Sequence, residues 1–149
     1  MASVGLEGIV KRFGHTTVVD SPSPEVPEGE FDSPLGGSGC GKTTTLRMIA
    51  GFETPSEGRV SIGGADVTAV PPNRRGVGMV FQNYALFPNM SVRDNVAYGL
   101  AAARASRLEI DRRVAAMRAT IHMAELGDRF PHQLSGGHQL RVALAPPRA

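Results

Sequence analysis

Residues 36–43 read Gly36-Gly37-Ser38-Gly39-Cys40-Gly41-Lys42-Thr43, which fills every fixed position of G-x-x-x-x-G-K-[ST]. Each fixed type has a physical reason. Glycines let consecutive backbone N–H groups turn inward onto phosphate oxygens with no Cβ in the way. The helix expected to start beside Lys42 adds the positive end of its dipole. Lys42 brings a point charge for the β- and γ-phosphates, and the Thr43 hydroxyl is of a type that ligates Mg²⁺. The plainer alternative is a glycine-rich turn in front of an ordinary helix. Cys40, the single cysteine, lies inside the loop, where a helix-end dipole lowers a thiol pKa. A small side chain at a tight turn is explanation enough for that residue, and a redox role is the lesser alternative.

A loop of this kind needs a strand before it and a helix after it. The helix is well specified, with Gly51 as a left-handed stop. The strand is not: Phe31-Asp32-Ser33-Pro34 puts a carboxylate, a hydroxyl and a proline where an apolar run belongs. Proline removes a ladder donor, and an unpaired buried Asp32 is costly. Residues 21–30, opening with Ser21-Pro22-Ser23-Pro24, read as loop. Upstream, the loose alternation of Val4, Leu6, Ile9 and Val10 and the β-branched TTVVD (16–20) predict short strands. Downstream, TPSEGRVSIGGADV predicts a turn at Pro55-Ser56-Glu57-Gly58, a strand over 59–62 and a Gly63-Gly64 turn. GVGMVFQ (76–82) is a compact apolar run of the kind buried parallel strands show.

Beyond residue 82 the periodicity becomes helical. Ser91 and Asp94 form an S-x-x-D start, followed by Val92, Val96 and Leu100 at four-residue steps. Ile110, Val114, Met117 and Ile121 mark one face of a second helix, which Gly127 can end. A last helix starts at Ser135 and stops at Pro146-Pro147. The order of elements predicts an α/β fold, with residues 1–82 as a β-rich part carrying the loop and 83–149 as a helical part.

The bulk numbers narrow the class. At 149 residues the chain has the size of one ordinary domain. Sixteen basic against fourteen acidic residues leave +2, and the basic ones are scattered, so no nucleic-acid partner is expected. One cysteine excludes an internal disulfide framework and fits a reducing compartment. The N-terminus does not read as a secretory signal, and no apolar run is long enough to span a membrane. The four histidines (His15, His122, His132, His138) show no metal-ligand spacing and read as surface or cap residues.

The loop opens the first of three blocks in order: SGCGKTTTLRMIAGFETPSEGRVSIGG, VGMVFQNYALFPNMSVRDNVAYGL and FPHQLSGGHQLRVALA. Together they resemble the nucleotide-binding subunit of ABC transporters, most closely of bacterial importers for sugars, polyamines or iron(III). The resemblance implies a P-loop NTPase core, ATP and Mg²⁺ as cofactors, and a second nucleotide-binding subunit that closes over the ATP. It also implies membrane-embedded transporter subunits as partners and a cytoplasmic position on the inner face of the membrane. By residue, it places adenine against Phe13 and the phosphates in the loop 36–43 and on Thr44. Mg²⁺ falls to Thr43 and Gln82, and the γ-phosphate of the opposite subunit's ATP to Ser135-Gly136-Gly137. Tyr84-Ala85-Leu86-Phe87-Pro88 falls where the family faces its membrane partner, though internal packing accounts for it equally.

The chain also departs from that pattern. Besides Asp32-Ser33-Pro34 and Ser21-Pro22-Ser23-Pro24, His138 and Leu140 stand at signature-helix positions that are usually glutamine. The family's apolar strand ending in Asp-Glu, and its switch histidine, have no counterpart in these 149 residues; Thr16-Thr17-Val18-Val19-Asp20 is no substitute. The expectation is a fold incomplete at the C-terminus and no catalytic base, with Gln82 only assisting. Two readings remain: an importer ATPase subunit, or a nucleotide-binding remnant or regulator without hydrolysis. An ABC-type ATPase of DNA repair would need a long heptad insertion where this chain has short helices.

Overall fold

The computed structural model describes residues 2–20, 25–33, 37, 39–102, 104–120 and 124–145. The chain divides into two compact units, Met1–Met79 and Val80–Ala149.

The first unit is an antiparallel sheet with one helix against it. Strand β1 (Val4–Phe13) turns through Gly14-His15 into β2 (Thr16–Asp20), with Phe13 opposite Thr16. Strand β3 (Glu25–Val26) pairs with the start of β1, and β4 (Glu57–Ile62) pairs along it so that Leu6 faces Val60. Strand β5 (Ala65–Asp66) returns on β4 through Gly63-Gly64, whose φ values of 58° and 78° are those a two-residue mirror-image turn requires. The path across the sheet is β2-β1-β4-β5. Alternation puts Leu6, Val19 and Val60 on one face, where they meet Ile9, Val67 and Met48 of helix α1 (Lys42–Ala50). Ile9, Val60 and Met48 are wholly buried there.

Helices build the second unit. Helix α2 (Val92–Ala102) buries Val92, Val96 and Leu100, the predicted stripe. Its first turn is held by Ser91, whose Oγ accepts from the Asp94 amide at 3.1 Å and donates to Asp94 Oδ2 at 2.7 Å. The amides of Val92 and Arg93 donate to the carbonyls of Arg129 and Gly127. Helix α3 (Arg107–Thr120) contributes Ile110 and Val114, and Arg93 of α2 pairs with Asp111 of α3. Helix α4 (Gly136–Ala143) adds Val142, so the core is Val92, Val96, Val114, Leu134, Val142 and Ala145.

Several expectations are corrected. Residues 76–82 form no strand, and Val80 is exposed. A central strand needs ladder neighbours, and no described strand pairs with this run. Residues 31–33, where the loop would need a strand before it, are irregular as well, with Phe31 93% exposed and Asp32 in solvent. The described sheet is therefore antiparallel throughout. Glu25 and Val26, expected in a loop, pair as β3. Helix α3 is described from Arg107 to Thr120, and Gly127, expected to end it, directly follows a 3₁₀ turn (Ala124–Leu126). The expectations for Ser21-Pro22-Ser23-Pro24, Pro34, Ile121, His122 and Pro146-Pro147, and for the side chain of Met117, lie outside the described residues.

Candidate functional site

Around the loop the described residues are Gly37 and those from Gly39 onward; Gly36 and Ser38 lie outside them. Gly39 and Gly41 hold φ values of 84° and 85°, left-handed conformations that glycine adopts without penalty. Gly41 has a second reason. A Cβ there would sit 2.7 Å from the Val18 carbonyl oxygen and 2.8 Å from Val19 Cγ2, so only glycine lets the loop lie against β2.

Helix α1 starts at Lys42 with Gly41 as its N-cap and no side chain capping it. The first intrahelical bond runs from the Thr45 amide to the Gly41 carbonyl at 2.8 Å. The amides of Thr43 and Thr44 therefore have no intrahelical acceptor and face the end that the dipole makes positive. Lys42 Nζ folds back over the loop and donates to the Gly37 carbonyl at 2.9 Å and to Cys40 Sγ at 3.2 Å. The Lys42 hydrogen bond, set against weaker desolvation, holds the exposed Cys40 thiol below its ordinary pKa. Thr43 is exposed at the first turn. Two left-handed glycines, an uncapped helix start and an ammonium turned over both fit a polyphosphate tail.

A cleft of about 880 Å³ opens beside the loop, with Cys40 and Lys42 at its edge. Its walls include Leu6, Val18, Val19, Ile49 and Phe31. The lining also carries the carboxylates Asp20, Glu30 and Asp32, which suit a phosphate poorly.

Phe13 ends β1 with its ring 48% exposed, outside the core, and Lys11 Nζ lies 4.8 Å from its centroid. Lys11 is held there by Glu53 at 2.9 Å and the Thr54 carbonyl at 2.8 Å.

The other predicted site residues belong to the second unit. Gln82 is exposed and opens a turn instead of ending a strand. In that turn Tyr84 and Ala85 hold positive φ values of 61° and 49°, which is unusual for residues with a Cβ. Ser135 caps α4, its Oγ accepting from the His138 amide at 3.4 Å and lying 2.9 Å from His138 Nδ1. A Cβ at Gly136 would make only ordinary contact, 3.8 Å from the Tyr84 hydroxyl, and one at Gly137 would meet nothing within 4 Å. Neither packing nor a positive φ requires glycine at those two positions. The Leu140 side chain is exposed and carries no group that could donate to a phosphate.

Two residues were missed by sequence reasoning. Arg75 is buried, with all its described acceptors on the main chain. Asn95 Nδ2 lies within 3.0–3.2 Å of the carbonyls of Phe87, Met90 and Ser91, and its Oδ1 accepts from the Phe87 amide at 2.8 Å. Backbone acceptors leave no trace in a residue pattern, so neither role was visible there.

A glycine-built phosphate loop opening a helix that packs on a sheet, followed by a helical unit with a capped S-G-G start, defines a nucleotide-binding protein of the phosphate-loop class. Residues 19–147 match the ABC transporter family, and the chain belongs to it. It is 55% identical over 150 residues to a protein of Thermobifida fusca named spermidine/putrescine import ATP-binding protein PotA, covering 96% of this chain and 38% of that protein. Proteins of the same name from Rubrobacter xylanophilus and Nitrosospira multiformis are 53% and 48% identical. Those alignments cover 96% and 97% of this chain and 38% and 40% of the relatives. The chain thus spans about two fifths of the length of these relatives.

Proposed function

We propose that this chain is the ATP-binding part of an ABC importer subunit that couples ATP binding and hydrolysis to uptake through membrane-embedded partners. One observation carries the reading: Lys42 Nζ folded to 2.9 Å from the Gly37 carbonyl, over a loop whose Gly39 and Gly41 are left-handed at the start of α1. That arrangement holds an ammonium where a β- or γ-phosphate would replace the carbonyl as its partner. Bound Mg²⁺ would neutralise charge developing between those phosphates, and the exposed Thr43 hydroxyl at the start of α1 is of a type to hold it; Gln82 is assigned to it by the resemblance alone. The half-exposed ring of Phe13 suits adenine, a contact worth about 1–3 kcal/mol where bases stack on aromatic side chains.

Ser135, Gly136 and Gly137 are assigned to the γ-phosphate of ATP held by a second copy. The open space around Gly137 supports that assignment, since nothing among the described residues of the unit explains a missing Cβ. The names of the relatives favour a polyamine as the solute. The site of action is then the cytoplasmic face of the inner membrane, with the subunit bound peripherally.

Titration with a fluorescent ATP analogue tests the reading. Saturable binding that Mg²⁺ tightens and Lys42→Ala abolishes is the expected outcome; equal binding by the variant would refute the loop assignment. Among these 149 residues nothing supplies the Asp-Glu pair of the family, so the chain alone should bind without turnover. Phosphate release that disappears in Lys42→Ala would contradict that.

A further inference from the structure

Arg75 is 7% exposed, and among the described residues no carboxylate accompanies it into the interior; desolvation draws its pKa down. Four of its five N–H groups donate to backbone carbonyls. Nη1 donates to Met48 O at 2.7 Å and to Ile49 O at 2.9 Å. Nε donates to Val70 O at 2.7 Å, and Nη2 to Thr68 O at 3.1 Å. Met48 and Ile49 lie in the last turn of α1, where the dipole end is negative; the Gly51 amide donates to Met48 O at 3.2 Å, and the guanidinium adds a second donor to that carbonyl. Thr68 and Val70 belong to the segment leaving β5, which Thr68 Oγ1 ties to β4 by accepting from the Val60 amide at 2.9 Å. Arg75 thus joins the far end of the phosphate-loop helix to the sheet.

Gly51 makes room for this clamp. Its φ of 86° ends α1, and a Cβ there would lie 2.6 Å from Arg75 Nε. At its other end α1 is seated by Gly41 against Val18 and Val19. A rigid helix of nine residues is therefore held at both ends, and releasing one end lets it rock about the other. Such rocking would move the amides of Thr43 and Thr44 relative to the rest of the loop.

We propose that Arg75 is a positioning residue for the phosphate site: by gripping the last-turn carbonyls of α1, it fixes the angle at which the helix presents its N-terminal amides to nucleotide. The proposal rests on the nucleotide-binding reading above. It asks for a specific set of donors and not merely for buried volume, which separates it from a packing role.

The test is nucleotide affinity of the full chain as the unsubstituted form, Arg75→Ala and Arg75→Lys. Misaligning an amide–phosphate hydrogen bond forfeits a charge-assisted contact, so Arg75→Ala should weaken binding by about 10- to 100-fold. Millimolar methylguanidinium should restore most of that loss, whereas the same concentration of potassium chloride should not. Arg75→Lys keeps the charge but cannot span four carbonyls, so its affinity should fall between the two with unchanged far-ultraviolet dichroism. Arg75→Ala binding as tightly as the unsubstituted chain, or weakened binding that methylguanidinium leaves untouched, would overturn the proposal. If Arg75→Ala does not fold, Arg75→Lys decides, and unsubstituted affinity in that variant overturns it. If the unsubstituted chain binds no nucleotide, the functional reading fails by itself. The clamp is then judged by amide exchange at Gly51 and Phe52, which donate to Met48 and Arg47 carbonyls. Exchange there must quicken in Arg75→Ala and slow again with methylguanidinium; unchanged exchange counts against it.

Discussion

Gly41 and Cys40 show how much depends on single atoms at the loop. At Gly41 a methyl group meets two obstacles together, a left-handed backbone and the Val18 carbonyl 2.7 Å away. The conformational part alone costs about 1–2 kcal/mol. Gly41→Ala should therefore lower the thermal midpoint and abolish nucleotide binding, whereas Gly64→Ala, also left-handed but with open space for a Cβ, should lower the midpoint and leave binding intact. Equal binding by both variants would mean that contact with β2 does not set the loop. At Cys40 the exposed thiol accepts a hydrogen bond from Lys42, which favours the thiolate. A thiol with a lowered pKa becomes nucleophilic at lower pH. The pH midpoint of iodoacetamide alkylation should thus lie below that of an unstructured cysteine peptide, and Lys42→Met should move it upward. A midpoint indifferent to Lys42 would place the ammonium elsewhere in solution. The sequence already pointed to a lowered thiol pKa but assigned it to the helix dipole; the lysine contact became visible only once the side chain was seen folding back.

Elements were legible in proportion to how local their causes are. Helix α2 is announced by its cap and its four-residue stripe, and both are realised because each signal acts within one turn. The β4–β5 hairpin follows from Gly63-Gly64, again a local matter. The run 76–82 fails for the opposite reason. Its apolar composition suits a buried strand, but a strand exists only where neighbours accept its ladder, and composition says nothing about whether they do. Strand β3, two residues long, is made entirely by the edge that β1 offers. The same distinction sets the cost of losing the α2 cap. Ser91→Ala removes the acceptor of the Asp94 amide and should destabilise the second unit by about 1 kcal/mol, while Ser91→Asp, which keeps an acceptor, should cost less. Urea melts followed by tyrosine fluorescence would measure this, and identical midpoints for Ser91→Ala and the unsubstituted chain would show that the Arg129 and Gly127 carbonyls hold the helix start unaided.

At the scale of the whole molecule, the described cores share no residue: Leu6, Ile9, Val19, Met48, Val60 and Val67 in one unit, and Val92, Val96, Val114, Leu134, Val142 and Ala145 in the other. The loop, with Lys42 and Thr43, belongs to the first unit. The chain has two tyrosines and no tryptophan, and Tyr84 and Tyr98 both belong to the second unit. Tyrosine fluorescence therefore reports one unit, and methyl resonances of Ile9 and Met48 report the other. A ligand that binds only the folded first unit stabilises it by about 2.7 kcal/mol at a concentration one hundred times its dissociation constant. For a domain of this size each kcal/mol moves the midpoint by roughly 4–8 °C. Saturating MgATP should thus raise the melting of the Ile9 and Met48 signals by about 10 °C or more and leave the tyrosine transition nearly in place. Lys42→Ala should remove the difference. A shift of equal size in both signals would show that the two units unfold as one cooperative body, and no shift in either would remove nucleotide binding from this chain altogether.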